Sequence, residues 1–178
     1  LAAGLTAYLE PRDVLAQVLG DPACLVSPLR DVPDRHRSLV SLFEESCSRL
    51  SEADRVALTA CAVFEGPFEA SAARAVAGCL LEDIRPLVDS SLLQATGGRF
   101  AMHPLLRQLA RASGGEAIGR LEAAHGEYFM ERLAAAAPAL EGRDQLATLE
   151  ALSADHPNIA AAWRWAVAAG RLDLVSRA

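Results

Sequence analysis

The side chains of this chain best suited to chemistry are its histidines, His36, His103, His125 and His156, and its cysteines, Cys24, Cys47, Cys61 and Cys79. His103 has the most telling surroundings, in the stretch RFAMHPLLRQLA at 99–110. A short apolar strand leaves a Thr96-Gly97-Gly98 turn and runs through Met102 and His103 into Pro104 and a helix-forming segment. An imidazole at such a junction could act as an acid–base catalyst, a metal ligand, a phosphate contact or a plain helix cap.

Catalysis or metal binding would need partners at set spacings. The chain has no His-Glu-x-x-His zinc helix, no Gly-x-Ser-x-Gly elbow and no Gly-x-x-x-x-Gly-Lys-Ser/Thr phosphate loop. Its histidines are far apart, and no Cys-x-x-Cys pair is present. No catalytic residue, no metal site and no enzyme activity are therefore expected within this chain. Cys47 and Cys61 fall at apolar helical positions and read as buried, reduced thiols. His125 lies on an apolar helical stripe and reads as a half-buried core residue. Arg107 and Arg111, four apart on the helix after His103, read as a solvated face pairing with nearby acids. A phosphate or partner contact is the alternative.

These residues must be positioned by helices. Of 178 residues, 52% are hydrophobic, with much alanine and few aromatics, a composition for closely packed helices. Residues 1–37 read as two short helical pieces and a connector rich in proline and charge. Leu39, Leu42, Phe43, Ser46, Cys47 and Leu50 form one stripe of a helix. Ser51 opens the next with a capping-box pattern, and its Val56, Ala57, Leu58, Ala60, Cys61, Ala62 and Val63 make it apolar on most faces. Glu65-Gly66-Pro67 breaks it, and Phe68 is expected to turn back into the core. Helices follow over 71–77 and 81–90, then a β-hairpin around Gly97-Gly98, then a helix from Pro104 to about Ala112.

Beyond Gly115 the pattern is wholly helical. Ile118, Leu121, His125, Tyr128, Phe129 and Leu133 form one stripe; Leu146, Leu149 and Leu152 form another. Asn158 is expected to cap a third helix with Ile159, Ala162, Trp163, Ala166 and Val167 inward, leaving Trp165 for a neighbouring helix. The expected fold is mainly α: a winged-helix-like domain with a short β-hairpin at 38–115, then an antiparallel, tetratricopeptide-like helical segment from 116 to 178.

A formal net charge of −6 disfavours phosphate backbones. The helix before the hairpin, where a DNA-reading winged helix carries basic residues, has Glu82, Asp83 and Asp89 against Arg85, and the hairpin carries only Arg99. Direct nucleic-acid binding is not expected. No signal peptide or membrane-spanning run is visible, so a cytoplasmic location is expected. A beginning without Met reads as a piece of a larger protein.

Three stretches, in order, resemble one family. RHRSLVSLFEESCSRLSEADRVALTACAVFEGPF resembles the segment after the nucleotide-binding domain of bacterial STAND-type, NB-ARC-like signal-transduction ATPases. LVDSSLLQATGGRFAMHPLLRQLA resembles their winged-helix hairpin, and LSADHPNIAAAWRWAVAAG the start of their tetratricopeptide-like sensor. The resemblance implies a transcriptional regulator whose winged helix closes over ADP, opens with ATP, and answers a protein or small-molecule inducer bound by the helical arm. It makes residues 1–37 the end of a small helical domain and the protein's own nucleotide-binding domain the partner of the winged helix. Met102 and His103 match a Met-His-Asp motif whose histidine reaches the nucleotide phosphate; Pro104 replaces the Asp. ADP and ATP would be cofactors of the full-length protein, not of this chain alone. Two other readings stay open: a DNA-binding winged helix with a helical dimerisation tail, and a plain interaction scaffold.

Overall fold

The structure, a computed structural model, describes residues 39–178. The expected small-domain end at 1–37, with Cys24 and His36, lies outside the described residues. The elements are α1 (Leu39–Ser48), α2 (Glu52–Cys61), α3 (Ala70–Ala77), α4 (Leu81–Asp89), β1 (Gln94–Thr96), β2 (Arg99–Ala101), α5 (Pro104–Ser113), α6 (Glu116–Leu140), α7 (Gln145–Ala168) and α8 (Leu172–Val175). The fold is mainly α with one short β-hairpin, as expected. α1 belongs to a unit that ends at Glu52, and Ala53–Ala178 form a second compact unit. The expected junction at 115/116 falls inside that second unit.

Strands β1 and β2 pair antiparallel with Thr96 opposite Arg99 and Gln94 opposite Ala101. Gly97 and Gly98 both take positive φ, +59° and +79°, which a two-residue hairpin turn of this hand requires. Phe68 adds a one-residue bridge to β2, exchanging two backbone hydrogen bonds of 2.8 Å with Phe100. Its ring, 1% exposed, stacks on Phe64 with centroids 4.1 Å apart. Phe68 thus returns to the core as the sequence predicts.

The short helices keep to their sequence signals. α3 stops at Gly78, which takes the left-handed conformation. In α4 the acids that speak against DNA stabilise their own helix. Asp83 accepts the Leu80 N–H at 2.7 Å, and with Glu82 it sits at the positive end of the helix dipole. α2 differs from the expectation of burial on most faces, because Val56 is 62% exposed. The fully buried run is the one that leaves the helix, Ala60 to Phe64.

The arm departs from the sequence reading more clearly. α6 and α7 are single helices of 25 and 24 residues, and α7 runs unbroken through Pro157 and Asn158. Asn158 is therefore not a cap of its own helix. They run antiparallel, since His125 meets Asn158 while Arg132 meets Asp155. Trp165 meets a neighbouring helix as expected, packing against Gly126 of α6, whereas Trp163, expected inward, is 39% exposed. Of the stripe expected inward, Ala162 and Ala166 are buried while Trp163 and Val167 are exposed; the buried line of α7 is Asp155, Asn158, Ala162 and Ala166. Leu146 and Leu149, expected as an apolar stripe, are exposed.

Candidate functional site

The turn Glu65-Gly66-Pro67, between α2 and the Phe68 bridge, is where the hairpin, α5 and the arm meet. A half-buried turn must find partners for those of its backbone polar groups that water does not reach. Asn158 of α7, fully buried, supplies them: its Oδ1 accepts the N–H groups of Glu65 at 2.8 Å and Gly66 at 3.2 Å, and its Nδ2 donates to the Pro67 carbonyl at 3.0 Å. Gly66 is required by closeness, since a Cβ there would lie 2.8 Å from the Pro157 ring. His125 of α6, 3% exposed, completes the arrangement with Nε2 3.4 Å from Asn158 Oδ1 and its ring against Phe64 and Phe129. It is a core histidine, more deeply buried than expected. Burial, with a smaller contribution from the Arg111 charge, pushes its pKa down to about 4, although the Asn158 hydrogen bond opposes the shift.

Arginines surround this turn. Arg107 donates to the Glu65 carbonyl at 2.8 Å and pairs with its carboxylate at 2.8 Å. Arg111 lies 3.6 Å from the same carboxylate and pairs with Glu122. The expected pairing of these arginines with acids is what the structure shows, on a half-buried rather than a solvated face. From the hairpin, Arg99 reaches Glu69 at 3.0 Å, the Pro67 carbonyl at 2.8 Å and Asp155. Asp155, 3% exposed, also takes Arg132 Nε at 2.7 Å. The only charge of the hairpin is thereby turned inward to α7.

His103 stands outside this network. It is exposed and forms the N-cap of α5, where its Nδ1 accepts the Leu105 N–H at 3.3 Å. Accepting at Nδ1 fixes the neutral ring as the Nε2–H tautomer, so the donor points away from the helix. Pro104 occupies the first helical position, where its missing N–H costs nothing. Met102, beside it, is buried.

No family model, curated protein or solved structure matches this chain. What the site can do is thus read from its own residues. Among the described residues no group of three or more His, Cys, Asp and Glu could hold a metal ion. No helix among them is long and apolar enough to cross a membrane. His103, His125 and His156 are not gathered: the first is a cap, the second is core, and the third lies exposed on α7. Cys61 and Cys79, 18 positions apart in the sequence, are both buried and share a hydrogen bond.

Sequence reasoning missed Glu65, Arg132, Asp155 and Asn158 as a joint. One signal was available. Asp155 and Asn158 are three apart on either side of Pro157, so on a continuous helix they share a face, the one that Ala162 and Ala166 extend. Buried Asp and Asn need named partners.

Proposed function

We propose that this chain is the nucleotide-responsive switch segment of a bacterial STAND-type ATPase, a transcriptional regulator in which a winged helix is joined to a helical sensor arm. The observation that carries the reading is the placement of His103. Its Nδ1 is occupied by the cap, its Nε2–H faces outward, and it stands at the N-terminus of α5, the helix end that attracts anions. That is the geometry a phosphate contact from a separate nucleotide-binding domain needs. The element order supports the winged-helix part: α2, the Phe68 bridge, α3, α4, then the β1–β2 hairpin. In this reading ADP bound next door holds the closed state through His103, and ATP together with an inducer on the arm shifts the population to the open one. Arg99, Asp155 and Asn158 would transmit movement of the arm to the hairpin and to the turn at Glu65.

The full-length protein tests this. His103→Ala should weaken ADP binding on the order of tenfold and speed ADP release, the loss expected for one hydrogen bond to a charged group. Unchanged affinity and unchanged release would remove the phosphate contact. The reading as a DNA-binding winged helix predicts a salt-dependent shift of duplex DNA by the present chain. With Glu82, Asp83 and Asp89 on α4 and Arg99 paired inward, no shift is expected at moderate salt.

A further inference from the structure

Cys61 ends α2 and Cys79 precedes α4, and the fold brings their thiols within hydrogen-bonding reach. Both are free. The two sulfurs differ in access. Cys61 is sealed at 1% exposure, whereas Cys79 lines an open pocket of about 420 Å³ with Arg74, Leu80, Leu81 and Glu82 at its walls. Arg74 makes no ion pair with a carboxylate among the described residues, so its guanidinium on the pocket wall is open to an incoming carboxylate, with Glu82 the one acid on the same wall.

We propose that Cys79 and Cys61 form a reactive dithiol that is oxidised to a disulfide by a small, carboxylate-bearing disulfide entering the pocket beside Arg74. Cys79 is the attacking sulfur. The hydrogen bond from Cys61 lowers its pKa even though burial and Asp83 oppose this, while the same hydrogen bond and burial raise that of Cys61. The Cys79 thiolate attacks one sulfur of the small disulfide, forming a mixed disulfide and releasing one small thiolate. That thiolate takes up the proton lost from Cys79. Cys61 then loses its proton and attacks the Cys79 sulfur, releasing the second small thiol. Two protein thiols lose two electrons and two protons, and one small disulfide becomes two small thiols. The product staples the end of α2 to the start of α4.

The test uses the 178-residue chain with Cys24 and Cys47 replaced by Ser, folding being checked by circular dichroism, and oxidised glutathione as the oxidant. The expected result is a loss of two hydrogens with no glutathione retained, and a Cys61–Cys79 link in the peptide map. Cys61→Ser should stop with one glutathione on Cys79, and Cys79→Ser should take up none. Arg74→Glu should slow the reaction several-fold with oxidised glutathione but not with the uncharged hydroxyethyl disulfide. Cys61 reacting as fast in Cys79→Ser as Cys79 does in Cys61→Ser would overturn the proposal. So would a link that forms only in denaturant, no reaction under conditions that oxidise a dithiol peptide, or equal slowing of both disulfides by Arg74→Glu.

Discussion

Asn158, in the middle of α7, caps the backbone of Glu65 from 93 residues away, with a hydrogen bond of 2.8 Å. A side chain that completes a turn in another part of the fold replaces what water would supply to an exposed turn. It fixes where the arm sits on the module that carries the hairpin. Replacing it removes a partner from three part-buried backbone groups at once, of which the Pro67 carbonyl keeps Arg99.

Asn158→Ala is therefore expected to cost roughly 2–4 kcal/mol, since each unsatisfied buried group costs about 1–3 kcal/mol and part of the loss is recovered by water. Gly66→Ala should be destabilising as well, because the added methyl meets the Pro157 ring on the same turn. Urea unfolding of the two single variants and the double variant checks both. Strong non-additivity in the double variant is the expected sign that the residues act on one joint.

Protonation acts on the same joint. The pKa of His125 in the folded chain is about 4 against about 6.5 when unfolded, so between those values the unfolded chain holds the extra proton. The His125 contribution to stability is complete above about pH 6.5 and is lost as pH falls toward 4. The expected loss is on the order of 3 kcal/mol. Arg111 strengthens the effect by opposing a second positive charge nearby. His125→Gln keeps a polar group beside Asn158 without titrating, and should flatten the stability curve in that window. Denaturant midpoints measured from pH 4 to pH 7 decide it; parallel curves for the two proteins would reject the assignment.

Asp155 sits between two guanidinium groups, Arg99 from the hairpin and Arg132 from α6, with its carboxylate 4% exposed. Breaking a buried pair from one side strands the remaining charge, which typically costs about 3–5 kcal/mol. Asp155→Asn leaves two cations facing a neutral amide and is expected near the low end of that range, because Arg99 retains Glu69 and the Pro67 carbonyl. In a double-mutant cycle, Arg99→Leu with Asp155→Leu should recover part of the loss. If the single substitutions cost under about 1 kcal/mol, the hairpin is not held by this pair.

The elements most legible in the sequence are those marked by backbone chemistry. Gly97-Gly98 could only be a tight turn, Gly78 stops α3, and Pro104 after His103 opens α5. These signals are local, and the structure follows them. The joint was less legible because its members are 56 residues apart at Arg99 and Asp155, and 93 at Glu65 and Asn158. Pro157-Asn158 resembles a helix boundary, and only a tertiary partner for each polar group lets α7 continue through it. The phase of α7 was hidden for another reason. Alanines occur on every face of 160–169, so apolar periodicity does not distinguish the side that meets α6 from the side that meets water. Of the candidate site, the placement of His103 at the hairpin–helix junction was readable, whereas the pairing of Cys61 with Cys79 was not.

The phase of α7 can itself be measured. A Cβ on Gly126 would lie among the indole ring atoms of Trp165, so α6 and α7 approach closely only because position 126 lacks a side chain. Gly126→Ala gains helix propensity of about 1 kcal/mol, but it must push the indole aside. Overpacking of this kind costs typically about 1–3 kcal/mol, and here the ring has the buried Ala162 and Ala166 line of α7 beside it, so the net effect should be destabilising. Trp165→Ala should cost about 3–5 kcal/mol, and Trp163→Ala, on the exposed side, far less. Tryptophan fluorescence separates the two residues. In Trp163→Phe the remaining emission should be blue-shifted and weakly quenched by iodide; in Trp165→Phe it should be red-shifted and readily quenched. The reverse pattern would restore the phase that the sequence stripe implied and would remove the packing of Trp165 on Gly126.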